Sequence, residues 1–311
     1  MKKFKKVLLL LLTILLTAGM FSGCGKRAET VENEFAELIA LPEAAKVTPE
    51  SMADAAEYMT KNLKQLPQER AAAMVSAYVT YAAQYINTDA DAAQVQSLLP
   101  FFDAKTGEFD SAKLKKDENA SAYYGLLERS YIEAALSENK VVLCLNYGAL
   151  SESLHKWIPK ALTEFYDLSA VITKTPATEN AVLKVSYEEI LRRAYCVEQM
   201  IRETKDQEIY PLIEEDTDWL YSTYLNILFM GTTNSPVFDY DTGAFSQEAE
   251  TAYMKFYKEN SDSVLAGAIH DYFRYLASIE YTMDYKDSDM SKTFFDNCSR
   301  IVTETSKKVK E

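Results

Sequence analysis

One ten-residue pattern occurs twice, and it constrains the fold of this chain more than any other feature. Pro100-Phe101-Phe102-Asp103-Ala104-Lys105-Thr106-Gly107-Glu108-Phe109 and Pro236-Val237-Phe238-Asp239-Tyr240-Asp241-Thr242-Gly243-Ala244-Phe245 both fit P-x-F-D-x-x-T-G-x-F, every fixed position standing at one constant offset from its twin. The residue types suit a tight reversal. Asp hydrogen-bonds forward to the turn backbone, Gly accepts positive φ, and the flanking Phe residues pack across the two ends. Each copy is expected to be a short β-hairpin with a bulged Gly that joins two helices, in a chain built by internal duplication.

The stretches around the turns have helical period. Thr48-Pro49 is an N-cap followed by Pro at the first helical position, and Met52, Ala56, Met59, Leu63 and Leu66 fall on one face. At nearly the same offset as the turns, Ser186-Tyr187-Glu188-Glu189 forms a capping box ahead of Ile190, Ala194, Val197 and Ile201 at matching spacing. A second helix is expected over 68–87, with Met74, Tyr78, Tyr81 and Tyr85 on a face, and its partner over 216–230 with Tyr221, Tyr224 and Leu228. Third helices are expected over 118–146 (Tyr124, Leu127, Tyr131, Ala135) and along Leu265, Ile269, Tyr272, Leu276 and Ile279. Gly125 and Gly267 recur there, which predicts close approach of a neighbouring helix. Fourth helices are expected over 151–172 and 289–309.

The fold class that follows is all-α: a four-helix unit present twice, eight main helices, with one short β-hairpin between the second and third helices of each copy. Strands nowhere alternate with helices, so a parallel α/β sheet is not expected. The expected divisions are a leader over 1–23, a polar stalk over 24–46, unit 1 over 47–172, a linker over 173–184 and unit 2 over 185–311.

The N-terminus carries the clearest address. Lys2, Lys3, Lys5 and Lys6 precede an apolar run from Val7 to Leu16, too short for the roughly 20 residues of a bilayer span, and Ser22-Gly23-Cys24 follows as a small-residue processing site. The stretch from Met1 to Cys24 resembles a bacterial lipoprotein signal and lipobox, with Phe21 where Leu is usual. The resemblance implies that the Cys24 thiol is acylated and that the protein is lipid-anchored at the bacterial cell membrane, facing the extracytoplasmic side. Without the four leader lysines, 29 basic residues (33 less four) stand against 47 acidic ones, a net of −18. Such a surface repels nucleic acid and anionic head groups.

Catalytic and metal chemistry is sparse. There are two histidines, His155 and His270, and no Gly-rich phosphate loop or paired cysteines at zinc spacing. Cys144, Cys196 and Cys298 allow at most one disulfide, and Cys144 and Cys196 read as buried free thiols. The acids Glu214, Glu215, Asp216 and Asp218 offer oxygen ligands for calcium, but acids complementing a helix N-terminus explain them better. Asp241-Thr242-Gly243 matches the aspartic-protease triplet, yet its twin has Lys105 at the first position, so a turn is expected. No cofactor, metal or catalytic residue is expected, and no ligand-binding residue is identified. The reading is a surface lipoprotein that binds a protein or glycan partner; the alternatives are a solute-binding lipoprotein serving a transporter and a carboxylate-based envelope hydrolase.

Overall fold

The computed structural model describes residues 25–40, 46–87, 92–137 and 139–311. The leader and Cys24 lie outside the described residues. Thirteen α-helices and three two-stranded antiparallel ribbons are present among those described, so the protein is all-α. The chain divides into two compact units, Met1–Asp167 and Leu168–Glu311.

In the first unit, α1 (Gly25–Ile39) packs on α2 (Pro49–Asn62) and α3 (Gln68–Ile86). The segment expected to be a polar stalk thus has a buried face: Ala28, Val31 and Phe35 are covered, and Glu32, 4% exposed, accepts from Arg70 Nε of α3 at 2.5 Å. Their i, i+3, i+7 spacing is helical, hidden by the charges around it. The α2 start is as the sequence predicts, with Thr48 and Ser51 capping each other's backbone N–H. Met52, Ala56, Met59 and Leu63 are buried, as are Met74, Tyr78, Tyr81 and Tyr85 of α3. Each large apolar side chain so covered contributes about 1.5–3 kcal/mol.

After α4 (Ala92–Gln96) comes the first turn, then α5 (Ser111–Leu114) and α6 (Glu118–Arg129). The expected third helix ends at Arg129, not at 146. Tyr131 adopts φ 53°, and the chain enters a hairpin of β1 (Ile132–Ser137) and β2 (Lys140–Leu145). Two tertiary partners hold it. Tyr78 Oη donates to the Ser130 carbonyl at 2.5 Å, and the Gln96 amide pairs with both backbone groups of Val141 (2.8 and 3.0 Å). The Val141-Val142 pair favours the strand, whereas Ala134-Ala135 extends a helical pattern into it. The fourth helix is broken into α7 (Tyr147–Leu154) and α8 (Lys160–Lys174), because Pro159 lacks the N–H a continuous helix needs.

The second unit begins within α8. The expected linker is not free: β3 (Thr178–Glu179) and β4 (Val182–Leu183) form a hairpin with Asn180 and Ala181 at positive φ. Asn234 N donates to the Ala181 carbonyl at 3.0 Å and Leu183 N to Ser235 Oγ at 3.0 Å, fixing it to the unit. Then come α9 (Tyr187–Thr204), capped by Ser186 Oγ on Glu189 N, and α10 (Tyr210–Met230), followed by the ribbon of β5 (Gly231–Thr232) and β6 (Ser235–Pro236). The second turn leads into α11 (Gln247–Glu259), α12 (Val264–Ser278) and α13 (Ser288–Lys308). Helix α10 starts at Tyr210, ahead of the Asp216 start that the sequence suggests, with Pro211 in its first turn. A Cβ at Gly125 or Gly267 would meet nothing within 4 Å, so the close helix approach expected there is not seen among the described residues.

The two turns share their backbone hydrogen bonds. Asp103 N donates to the Glu108 carbonyl and Gly107 N to the Asp103 carbonyl (2.9 and 2.8 Å); Asp239, Ala244 and Gly243 repeat this at 2.9 and 2.9 Å. Asp103 Oδ1 accepts from Lys105 N and Thr106 N, and Asp239 Oδ1 from Asp241 N and Thr242 N. These N–H groups hold both carboxyls below the usual Asp range. Each hairpin is a single bridge, Phe102 with Phe109 and Phe238 with Phe245. In the second unit this pair is the hub of an aromatic core: Phe238 meets Phe294 at 5.5 Å and Phe245 meets Tyr272 at 6.0 Å, both edge-on.

Candidate functional site

A groove of about 420 Å³ lies between α9 and α11, within the size range of small-molecule sites. Two facing helical stripes make it. Glu188, Arg192 and Tyr195 stand at i, i+4 and i+7 on α9; Ala252, Lys255, Phe256 and Glu259 stand at i, i+3, i+4 and i+7 on α11. Ala252 leaves the space, and the Tyr195 and Phe256 rings line it edge to face with centroids 5.6 Å apart.

The charged groups at its rim are tied to one another. Lys255 Nζ bridges to Glu188 at 3.1 Å, joining the helices, while Glu189 receives the Arg192 guanidinium as a fork, both bonds 2.7 Å. Glu189 also accepts from Arg193 Nε at 2.7 Å; Arg193 is buried and uses Nη1 on the Thr175 carbonyl at 2.8 Å. The Arg192 hydrogen bond foremost, and then that of Arg193, outweigh the cost of burial and pull the Glu189 carboxyl from the ordinary 4.5 down to about 2. An aromatic lining between opposite charges suits reversible binding of a polar ligand. It offers no nucleophile with an adjacent base.

A pH dependence follows. Because the folded state lowers the Glu189 pKa, its stabilisation is fully present above about 4.5 and is lost as pH falls towards about 2. Glu189→Gln is expected to cost roughly 2 kcal/mol at pH 7, a figure that already discounts the Arg192 share for solvent screening of that exposed side chain. That deficit should shrink steadily below pH 4.5 in urea melts. A deficit independent of pH would reject the assignment.

The residues singled out in the sequence are not assembled into chemistry. His155 is exposed, its Nδ1 2.9 Å from the Glu152 carbonyl; His270 is 55% exposed, beside Asp271 and stacked on Tyr257. Asp241 is exposed on the second turn. No disulfide joins Cys144, Cys196 and Cys298; Cys298 is buried, Cys144 and Cys196 partly so, and burial pushes the Cys144 and Cys298 thiols up to about 12. The four acids do not precede a helix. They lie inside α10, where Glu214 and Asp218 accept from Lys310 Nζ at 3.1 and 2.5 Å. Lys310 also sits over the Tyr210 ring, 5.9 Å from its centroid, and its carbonyl accepts from Lys205, so these acids secure the end of α13. Among the described residues no group of three or more His, Cys, Asp or Glu is placed to hold a metal ion, and no helix is long and apolar enough to cross a membrane.

The groove residues gave little sequence signal. Helix α11 carries Ala252, Tyr253 and Phe256 at helical spacing, but they gain meaning only opposite α9. No family model, curated protein or solved structure matches the chain.

Proposed function

We propose that this chain is a lipid-anchored extracytoplasmic protein whose helical body binds another macromolecule, a protein or a cell-envelope polymer. The observation that carries the reading is the leader: four lysines, an apolar run and Ser22-Gly23-Cys24. Acylation of Cys24 supplies the membrane affinity, with each buried CH₂ contributing about 0.8 kcal/mol and more than one chain needed for stable anchoring. The protein part adds no electrostatic attraction to anionic lipid, since its balance is strongly acidic. The description as a binding module is supported by a groove that has an aromatic lining and paired charges but no reactive group.

The same proposal includes a duplicated ancestor that gave rise to both units. Its support is the matching pair of turns, each followed by a capped helix. Asp110 caps α5 on Lys113 N and Ser246 caps α11 on Ala249 N, the two caps standing at the same offset as the turns themselves. The intervals 131–159 and 279–287 differ in content, so the copies diverged most after α6 and α12.

Expressed in a bacterium that processes lipoproteins, the wild-type chain is expected to incorporate labelled palmitate and sediment with membranes. Cys24→Ser should abolish the label and release or retain the chain with its leader uncleaved. Label that persists in Cys24→Ser would overturn the anchor. Pull-down from membrane extracts that returns nothing above background would count against the binding role. The groove also favours a second reading, capture of a small polar solute, which a thermal-shift screen with sugars, peptides and amino acids separates from the first.

A further inference from the structure

The two turns share their internal hydrogen bonds but not their surroundings. In the second unit the outer edge is already occupied by another segment of the chain. Met283 N donates to the Gly243 carbonyl at 2.9 Å, Phe245 N donates to the Tyr281 carbonyl at 3.3 Å, and Ala244 pairs with Thr282 as a bridge. The occupant is Glu280-Tyr281-Thr282-Met283-Asp284, a run with an acid at each end.

In the first unit the chain leaves α6 through the same kind of residue, Tyr131 at φ 53° against Tyr281 at φ 54°. It then goes elsewhere. The Tyr131 carbonyl accepts from Asn146 N at 2.8 Å, and the following residues pair with β2. The Gly107 carbonyl and the Phe109 N–H therefore have no hydrogen-bond partner among the described residues, and a Cβ on Gly107 would meet nothing within 4 Å. Beside this edge, Phe109 stacks on Tyr124 with centroids 4.7 Å apart, an aromatic surface on which an added strand can lie.

We propose that the Gly107–Phe109 edge of the first turn binds an extended peptide segment of a partner protein, of the kind that the Tyr281–Asp284 run supplies to the twin edge, which adds to it as a short strand. The occupied edge of the second unit shows the geometry: a carbonyl that accepts from the Phe109 N–H and, two residues on, an N–H that donates to the Gly107 carbonyl. Lys105, Lys115 and Lys116 are exposed with no ion-pair partner among the described residues. Lys113 is exposed as well, its Nζ on the Pro100 carbonyl at 2.6 Å. Acids alternate with these lysines: Asp103, Asp110 and Asp117 direct carboxylate oxygens at backbone N–H groups, and Glu108 and Glu118 are exposed, so charge does not set the sign of the partner. The backbone bonds supply the alignment.

This inference deepens the binding role proposed above and rests on it, but not on the lipid anchor. The test uses the full chain labelled with ¹⁵N-Phe, the Phe109 resonance being assigned from Phe109→Leu. The probe is the heptapeptide Ile-Glu-Tyr-Thr-Met-Asp-Tyr, the protein's own residues 279–285. A saturable shift of the Phe109 amide is expected. N-methylation of the peptide's Met should weaken binding about tenfold, the effect of one hydrogen bond lost. A Phe109 amide that ignores the peptide, or an N-methylated peptide that binds equally well, overturns the proposal. Partners recovered from membrane extracts by a chain whose edge ignores the peptide would reject this site and leave the binding role standing. Peptide binding with no partner recovered supports the site and counts against that broader role.

Discussion

Gly243→Ala should destabilise the protein by about 3 kcal/mol or more, while Gly107→Ala at the twin position should cost only about 1–2 kcal/mol. Both glycines have positive φ, 68° and 72°, and an L side chain there meets its own backbone at a cost of about 1–2 kcal/mol. The difference lies outside the turn. A Cβ on Gly243 would overlap the Met283 backbone carbonyl, whose residue donates its N–H to Gly243, so relief of the clash breaks the bridge. At Gly107 that space is open. Urea melts of the two variants and the parent give the comparison. Equal losses would show that the Thr282–Met283 segment does not press on the turn.

Glu198→Ala is expected to be the other severe change, on the order of 4 kcal/mol. Glu198 is fully buried on α9. One oxygen accepts from Val264 N at 2.9 Å, the other from Leu265 N at 2.8 Å and Tyr221 Oη at 3.0 Å. Val264 and Leu265 open α12, whose first N–H groups have no partner within the helix, so a carboxylate from another helix caps it beside Ser263. Burial foremost, and then the Glu198 charge, raise the Tyr221 hydroxyl well above its usual pKa, keeping it a donor. Truncation leaves three donors without an acceptor, those of Leu265 and Tyr221 buried and that of Val264 partly so, each buried one costing about 1–3 kcal/mol. Glu198→Gln keeps one acceptor oxygen and should fall between, while Tyr221→Phe should cost only about 1 kcal/mol. Thermal melts test the order, and amide exchange at Val264 and Leu265 tests the cause. An Ala variant within about 1 kcal/mol of the parent would refute the remote cap.

The difference between these two sites shows what is readable in a sequence. The turn was legible because its partners are near neighbours in the chain: Asp103 and Asp239 bond forward, and glycine takes the positive φ. The caps at Thr48 and Ser186 were legible for the same reason, as were the buried stripes of α2, α3 and α9. The β1–β2 hairpin was not. Its apolar residues continue the helical period of α6, and its strand edge is completed by Gln96, far back in the chain. The start of α10 was misplaced because its acids looked like an N-terminal cluster, when two of them instead answer Lys310 at the other end of the unit's sequence.

Sequence alone determined the helical class, the paired turns, the main caps and, through Cys24 and its leader, the expectation of a lipid anchor. These rest on periodicity and on contacts within one turn of chain, where residue type fixes the geometry. Tertiary structure decided that α1 is docked, that Glu198 caps a distant helix, that α9 and α11 enclose a groove, and that one twin edge is covered while the other has no partner among the described residues. Each depends on which groups meet across long stretches of chain, and that is set by packing of the whole unit rather than by any local pattern.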